Sequence, residues 1–83
     1  MLSIKVLGSG CANCQKVEAA AKNAVASMGV QAEITKVTDY EEMMAYHILA
    51  TPGLVVNEKL VAAGRIPSEP EVMAWIASAL SEN

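Results

Sequence analysis

The stretch "ATPGLVVNEKLVAAG" (residues 50–64) decides the order of helices and strands in this chain. Pro52 predicts the end of a preceding helix, because a residue before proline is pushed away from the α region. The runs 54–56 (LVV) and 59–63 (KLVAA) are mostly apolar, and they flank a two-residue turn at 57–58. This pattern is typical of a β-hairpin. We therefore predict a helix that is followed directly by two antiparallel strands.

The N-terminal side of that stretch predicts a strand, a helix and a second strand. Residues 2–7 alternate apolar and polar side chains and predict a strand. From Ala12 to Met28 the apolar residues recur at three- and four-residue steps, which predicts an amphipathic helix. Gly29 is suited to end this helix at its C-terminal cap. Residues 30–37 alternate again and predict the second strand.

Two further helices follow from capping signals. A second helix is predicted to start after Thr38 or Asp39, each of which has a glutamate three residues later. The last helix is predicted to start at Ser68, with Glu71 completing the capping box. One side of the second helix is predicted to carry Tyr40, Met43, Met44, His47 and Ile48. We expect the two tyrosines, Tyr40 and Tyr46, and the methionines to be core or boundary residues. We expect a buried stripe on the last helix at Val72, Trp75, Ile76, Ala79 and Leu80.

The resulting order, β-α-β-α-β-β-α, predicts an α/β fold with a mixed four-stranded sheet. The helical crossover predicts parallel pairing of the first strands, whereas the hairpin predicts an antiparallel pair at the end. Eighty-three residues are enough for one hydrophobic core, so residues 1–83 are expected to form a single domain.

Composition and charge narrow the classes of function. The net charge is −3 and the basic residues are scattered, which argues against binding to nucleic acid. No apolar run approaches the roughly 18 residues of a membrane-spanning helix, and the N-terminus reads as a strand rather than a signal peptide. We therefore expect a cytoplasmic protein without a nucleic-acid or membrane partner. We also expect a monomer, although no residue pattern decides the oligomeric state.

The two cysteines, Cys11 and Cys14, lie in "GSGCANCQK" (residues 8–16) and are the candidate reactive or metal-binding residues. A structural disulfide between them would close too short a loop to stabilise the fold much. Three functions stay open: exchange between dithiol and disulfide, binding of Cu(I) or As(III) by both thiolates, and redox-regulated binding of a partner. A closed zinc site normally needs four ligands, which two cysteines and one distant histidine, His47, do not supply.

The chain resembles the thioredoxin and glutaredoxin superfamily, through "GCANC" (10–14), "TPG" (51–53), the hairpin and the final helix. It looks closest to the short archaeal and bacterial thioredoxin-like proteins called redox-active disulfide proteins. Small copper-transfer domains also carry CxxC after their first strand, but their order is β-α-β-β-α-β. The resemblance implies a minimal thioredoxin fold and a thiol–disulfide oxidoreductase that needs no cofactor beyond its redox-active disulfide.

The resemblance also implies roles for the two cysteines. Cys11 would attack a protein disulfide, and Cys14 would resolve the mixed disulfide that results. A physical argument supports this order, since Cys11 precedes a predicted helix whose N-terminal dipole favours the thiolate. Cys14 lies one turn further along, on the apolar face.

Substrate positioning is implied for Thr51, Pro52, Gly10 and Gly64. In the family this proline is cis and lies against the cysteines, and the residue before it pairs with the incoming peptide. Full-length thioredoxins usually carry tryptophan where this chain has Gly10. Glutaredoxins use basic residues near the cysteines to hold the carboxylates of glutathione, and Arg65 is the candidate for such a contact here. We expect Arg65 to be a solvated side chain instead, so the expected partners are a protein disulfide and a reductase rather than glutathione.

Overall fold

The computed structural model describes residues 2–8, 12–48 and 50–81. Its elements are β1 (Leu2–Leu7), α1 (Ala12–Met28), β2 (Ala32–Val37), α2 (Tyr40–Met44), β3 (Gly53–Val56), β4 (Lys59–Ala63) and α3 (Glu69–Ser81). The predicted element order and fold class are confirmed. None of the described helices is long and apolar enough to cross a membrane.

The four strands form one sheet in the order β2-β1-β3-β4. Strand β1 runs parallel to β2, whereas β3 runs antiparallel to both β1 and β4. Leu7 at the end of β1 pairs with Gly53 at the start of β3, and Gly53 in turn pairs with Ala63 near the end of β4. This register brings the segments that follow β1 and β4 beside the segment that precedes β3.

The two faces of the sheet carry different helices. Helices α1 and α3 pack against each other and cover one face. The other face holds a smaller cluster with Met43 of α2 and Ile48. Leu7, which interrupts the alternation of β1, is fully buried in this second cluster. The irregular position in the β1 pattern therefore reflects a strand whose end is buried on both faces. The larger core contains Leu2, Ile4, Val6, Val17, Ala21, Ala24, Leu54, Val56, Ala62, Val72, Ile76 and Ala79.

Helix α2 is shorter than the pattern predicted. It ends at Met44, and His47 has a backbone φ of 58°, which is outside the right-handed helical region. Asp39 is the N-cap, and its carboxylate accepts a hydrogen bond from the Glu41 N–H at 2.8 Å. The expectation that Tyr40 and Met44 are core or boundary residues was wrong, because both are exposed, whereas Tyr46 is partly buried as expected. The chain leaves the helix early, and Ile48 then enters the second cluster.

Helix α3 begins with the predicted capping box. The Glu71 N–H donates to Ser68 Oγ at 3.3 Å, and the Ser68 N–H donates to the Glu71 carboxylate at 3.1 Å. The same carboxylate makes a bidentate pair with Arg65, at 3.1 and 2.7 Å. Arg65 is exposed, as predicted, and its guanidinium is also paired with Glu71. Trp75 is only partly buried and Leu80 is exposed, so the buried stripe is narrower than predicted.

The capping box of α3 makes unfolding pH-dependent. The hydrogen bonds from Arg65 and the Ser68 backbone lower the pKa of Glu71 to about 2. A carboxyl with a depressed folded-state pKa stabilises the fold above its unfolded pKa, and this contribution is lost as the pH falls through the folded value. We expect the free energy of unfolding of the wild type to approach that of Glu71→Gln between about pH 5 and pH 2. Urea denaturation at several pH values measures this difference. A difference that is constant with pH would contradict the prediction.

Candidate functional site

The candidate site lies where β1 and β4 end and β3 begins. Gly8 follows β1, and its N–H donates to the Val37 carbonyl of β2 at 3.0 Å. Gly64 follows β4, and its N–H donates to the Pro52 carbonyl at 2.8 Å. These hydrogen bonds fix the segments that follow β1 and β4 next to the neighbouring chain. As a result, the segment after β1, the segment before β3 and the segment after β4 lie together at one end of the sheet.

Gly8 lies close to both Cys14 and Pro52. A Cβ atom built on Gly8 would overlap the Cys14 sulfur and would lie 4.0 Å from Pro52 Cα. Only a residue without a side chain fits there unless its neighbours move. Forty-four positions separate Gly8 from Pro52 along the chain. The structure therefore brings together Cys14 and Pro52, two residues that the sequence singled out separately.

Cys14 is buried in the first turn of α1, with 6% of its surface exposed. Its neighbours on the same helix face, Val17 and Ala21, belong to the larger core. Cys11 and Gly10, the other site residues predicted in this segment, lie outside the described residues. Their proposed roles stay predictions.

Thr51 and Pro52 connect the candidate site to the surface. Thr51 is exposed, Pro52 is buried, and the peptide bond between them is cis. Gly64 has a backbone φ of +74°, and a Cβ there would come within 3.0 Å of the Ala50 Cβ. Glycine is suited to this position because it adopts a positive φ without steric cost.

A small cavity beside Cys14 is lined by two charged residues, Glu18 and Lys36, that the sequence pattern did not single out. It has a volume of about 60 Å³, and its lining includes Gly8, Cys14, Glu18 and Lys36. The Glu18 carboxylate pairs with Lys36 at 3.3 Å and with Lys22 at 3.4 Å. Burial, the largest influence, raises the pKa of Glu18, but the two lysines together lower it below its ordinary value. Glu18 follows Cys14 by four residues, and this helical spacing is the signal that could have found it.

Replacing Glu18 by glutamine is expected to lower the pKa of the Cys14 thiol by about one unit. The change removes a negative charge from the cavity and leaves Lys36 without this partner, and both effects favour the thiolate. In a Cys11→Ser background, the rate of alkylation as a function of pH reports this pKa. Glu33→Gln removes a carboxylate that does not line the cavity and serves as the control. An unchanged or raised pKa in Glu18→Gln would contradict the prediction.

The structure adds little to the metal hypothesis. Within residues 2–8, 12–48 and 50–81, no group of three or more histidine, cysteine, aspartate or glutamate side chains could hold a metal ion. His47 is exposed after α2, whereas Cys14 is buried at the start of α1. Arg65, the residue considered for a glutathione carboxylate, is paired with Glu71 instead.

Comparison with known proteins identifies the family. The model of the thioredoxin domain matches residues 2–77. The chain belongs to the thioredoxin-domain family. This thioredoxin-domain protein is 38% identical over 72 residues to a thioredoxin of Methanothermobacter thermautotrophicus. The aligned region covers 87% of this chain and 94% of that protein. It is 36% identical over 80 residues to a thioredoxin of Methanocaldococcus jannaschii, covering 96% and 92% of the two chains.

A solved structure agrees with the fold of this thioredoxin-domain protein. The germline-specific thioredoxin Deadhead of Drosophila melanogaster superposes with a TM-score of 0.61 at 17% identity, covering 93% of this chain and 79% of that one. The activity is assigned from the two archaeal thioredoxins, because they are 36–38% identical to this chain over most of its length. The thioredoxin-domain protein is a thiol–disulfide oxidoreductase.

Proposed function

We propose that the protein reduces protein disulfides through Cys11 and Cys14. The Cys11 thiolate attacks one sulfur of the target disulfide, a mixed disulfide forms, and the first target thiolate leaves. The Cys14 thiolate then attacks the Cys11 sulfur, a Cys11–Cys14 disulfide forms, and the second target thiolate leaves. Two electrons pass to the target, and each departing thiolate takes up a proton according to its pKa.

The closeness of both Cys14 and Pro52 to Gly8 is the observation that best supports this proposal. Pro52 and the exposed Thr51 border the surface near the buried Cys14. An extended target peptide that paired with the Thr51 backbone would bring its disulfide to this end of the sheet. Gly64, bonded to the Pro52 carbonyl, would leave room for that peptide because it has no side chain.

The partners follow from the electron balance. The oxidised protein needs a dithiol reductant or a reductase to return Cys11 and Cys14 to thiols. The proposed target is a protein disulfide, because the exposed Thr51 next to Pro52 is suited to pair with an extended peptide. We also propose that the protein is a monomer and that it acts in the cytoplasm.

The test is reduction of a model protein disulfide with a dithiol as the source of electrons. The wild type is expected to turn over many times, and mass spectrometry after alkylation should find Cys11 and Cys14 cycling between two thiols and one disulfide. A protein with neither turnover nor reversible oxidation of this pair would refute the proposal.

A further inference from the structure

An apolar groove lies next to the candidate site, between α2 and the segment before β3. Its volume is about 280 Å³. We call it the α2 groove, and it is lined by Tyr40, Met43, Met44, Ile48, Ala50 and Thr51. Thr51 directly precedes Pro52, so one end of the α2 groove is one residue from the proline that lies near Gly8 and Cys14.

The α2 groove has two large apolar side chains on its surface. Tyr40 is 70% exposed and Met44 is 38% exposed. The other tyrosine, Tyr46, is partly buried, and its hydroxyl bonds to Lys5 and Glu58 at 2.8 Å. An exposed tyrosine provides a large contact area and loses little conformational freedom on binding, as at many protein interfaces.

The chain segment that lines the α2 groove is acidic. Residues 38–51 contain three carboxylates and neither lysine nor arginine. Helical geometry puts Tyr40, Met43 and Met44 on one face of α2, with Glu41 beside that face. Asp39 caps the same end of the helix. Glu42 points away and lines a separate surface that includes Lys5 and Tyr46.

We propose that the α2 groove selects targets in which apolar residues flank the reactive cysteine and basic residues follow next. The apolar neighbour of the cysteine would contact Tyr40 and Met44, and the lysine or arginine would lie near Glu41 and Asp39. Complementary charge raises the association rate and discriminates against acidic segments. This inference rests on the proposed function, because it names the substrates of the same site.

Three peptide disulfides test the substrate class, each a homodimer of a palindromic peptide so that the direction of binding does not matter. Their sequences around cysteine are Lys-Leu-Cys-Leu-Lys, Glu-Leu-Cys-Leu-Glu and Lys-Ser-Cys-Ser-Lys. Each kcat/KM is divided by the rate of reduction by free dithiol, which removes differences in intrinsic reactivity. We expect the first peptide to exceed each of the others by about tenfold at low salt. The advantage over the acidic peptide should shrink at high ionic strength.

Matched variants locate the effect on the protein. Glu41→Gln is expected to lower the preference for the basic peptide several-fold, whereas Glu42→Gln, with the same charge change on the opposite face, should alter it much less. Tyr40→Ala should lower kcat/KM for the Leu-containing peptides by about tenfold. Leu80→Ala removes another exposed apolar side chain, on α3, and should have no such effect.

The outcomes are distinct. If the three peptides had equal kcat/KM, the proposal that the α2 groove selects apolar and basic targets would be overturned, although disulfide reduction continued. Equal effects of Glu41→Gln and Glu42→Gln would overturn it as well. Sedimentation that showed a dimer lost in Tyr40→Ala would assign the groove to a second copy and also overturn it. Failure of the wild type to reduce any peptide, or a small neutral disulfide, would instead refute the proposed function.

Discussion

Replacing Cys14 by serine is expected to abolish multiple turnover and to leave the target protein covalently attached to Cys11. The first attack needs only the Cys11 thiolate, so the mixed disulfide still forms. Release needs a second thiolate close to the Cys11 sulfur, and serine does not supply one. Non-reducing electrophoresis followed by mass spectrometry should find one target per protein chain. The adduct should disappear on addition of dithiol.

The reciprocal variant is the control for this result. In Cys11→Ser the remaining thiol, Cys14, is only 6% exposed, so we expect no trapped target. The pair of variants thus separates the attacking from the resolving cysteine. Trapping by Cys11→Ser, or turnover by Cys14→Ser at the wild-type rate, would contradict the order of attack.

Replacing Gly8 by alanine is expected to reduce both stability and activity. The added Cβ would overlap the Cys14 sulfur, so that side chain or the backbone of Gly8 has to move. Overpacking of this kind costs about 1–3 kcal/mol in the free energy of unfolding. A reacting sulfur displaced by about 1 Å can lose on the order of a hundredfold in rate. Urea denaturation and kcat/KM on a model protein disulfide measure the two effects.

A double-mutant cycle tests the cause of the Gly8→Ala effect. In a Cys14→Ala background the sulfur is absent, and the cost of Gly8→Ala in the free energy of unfolding should be clearly smaller. The difference between the two backgrounds is the energy of the steric conflict with sulfur. An equal cost in both backgrounds would show that the conflict lies elsewhere, for example with the Cys14 Cβ at 3.4 Å.

Local rules were sufficient for most of the fold. The bounds predicted for β1 and α1 match the structure, because strand alternation, helical spacing and a glycine cap act over short distances. The capping box at Ser68 and the turn at 57–58 are also local, and both were confirmed. Asn57 and Glu58 have the positive φ values that such a hairpin turn requires.

The largest error, the length of α2, has a tertiary cause. The apolar residues between Tyr40 and Ile48 fit a helical period, so the pattern predicted a helix through all of them. In the structure Ile48 instead packs in the second cluster with Leu7 and Val55, and the helix ends at Met44. The early end accompanies the exposure of Tyr40 and Met44 in the α2 groove.

By itself, the sequence determined the element order, the position of Cys14 on a helix, and the family that the order and motifs imply. These features depend on residues close together in the chain. The tertiary structure alone decided that Gly8 lies close to both Cys14 and Pro52, and that Lys36 shares a cavity with Cys14 and Glu18. Each of these depends on the pairing of β1 with β3, or on side chains from different elements that meet only after the sheet and helices have packed.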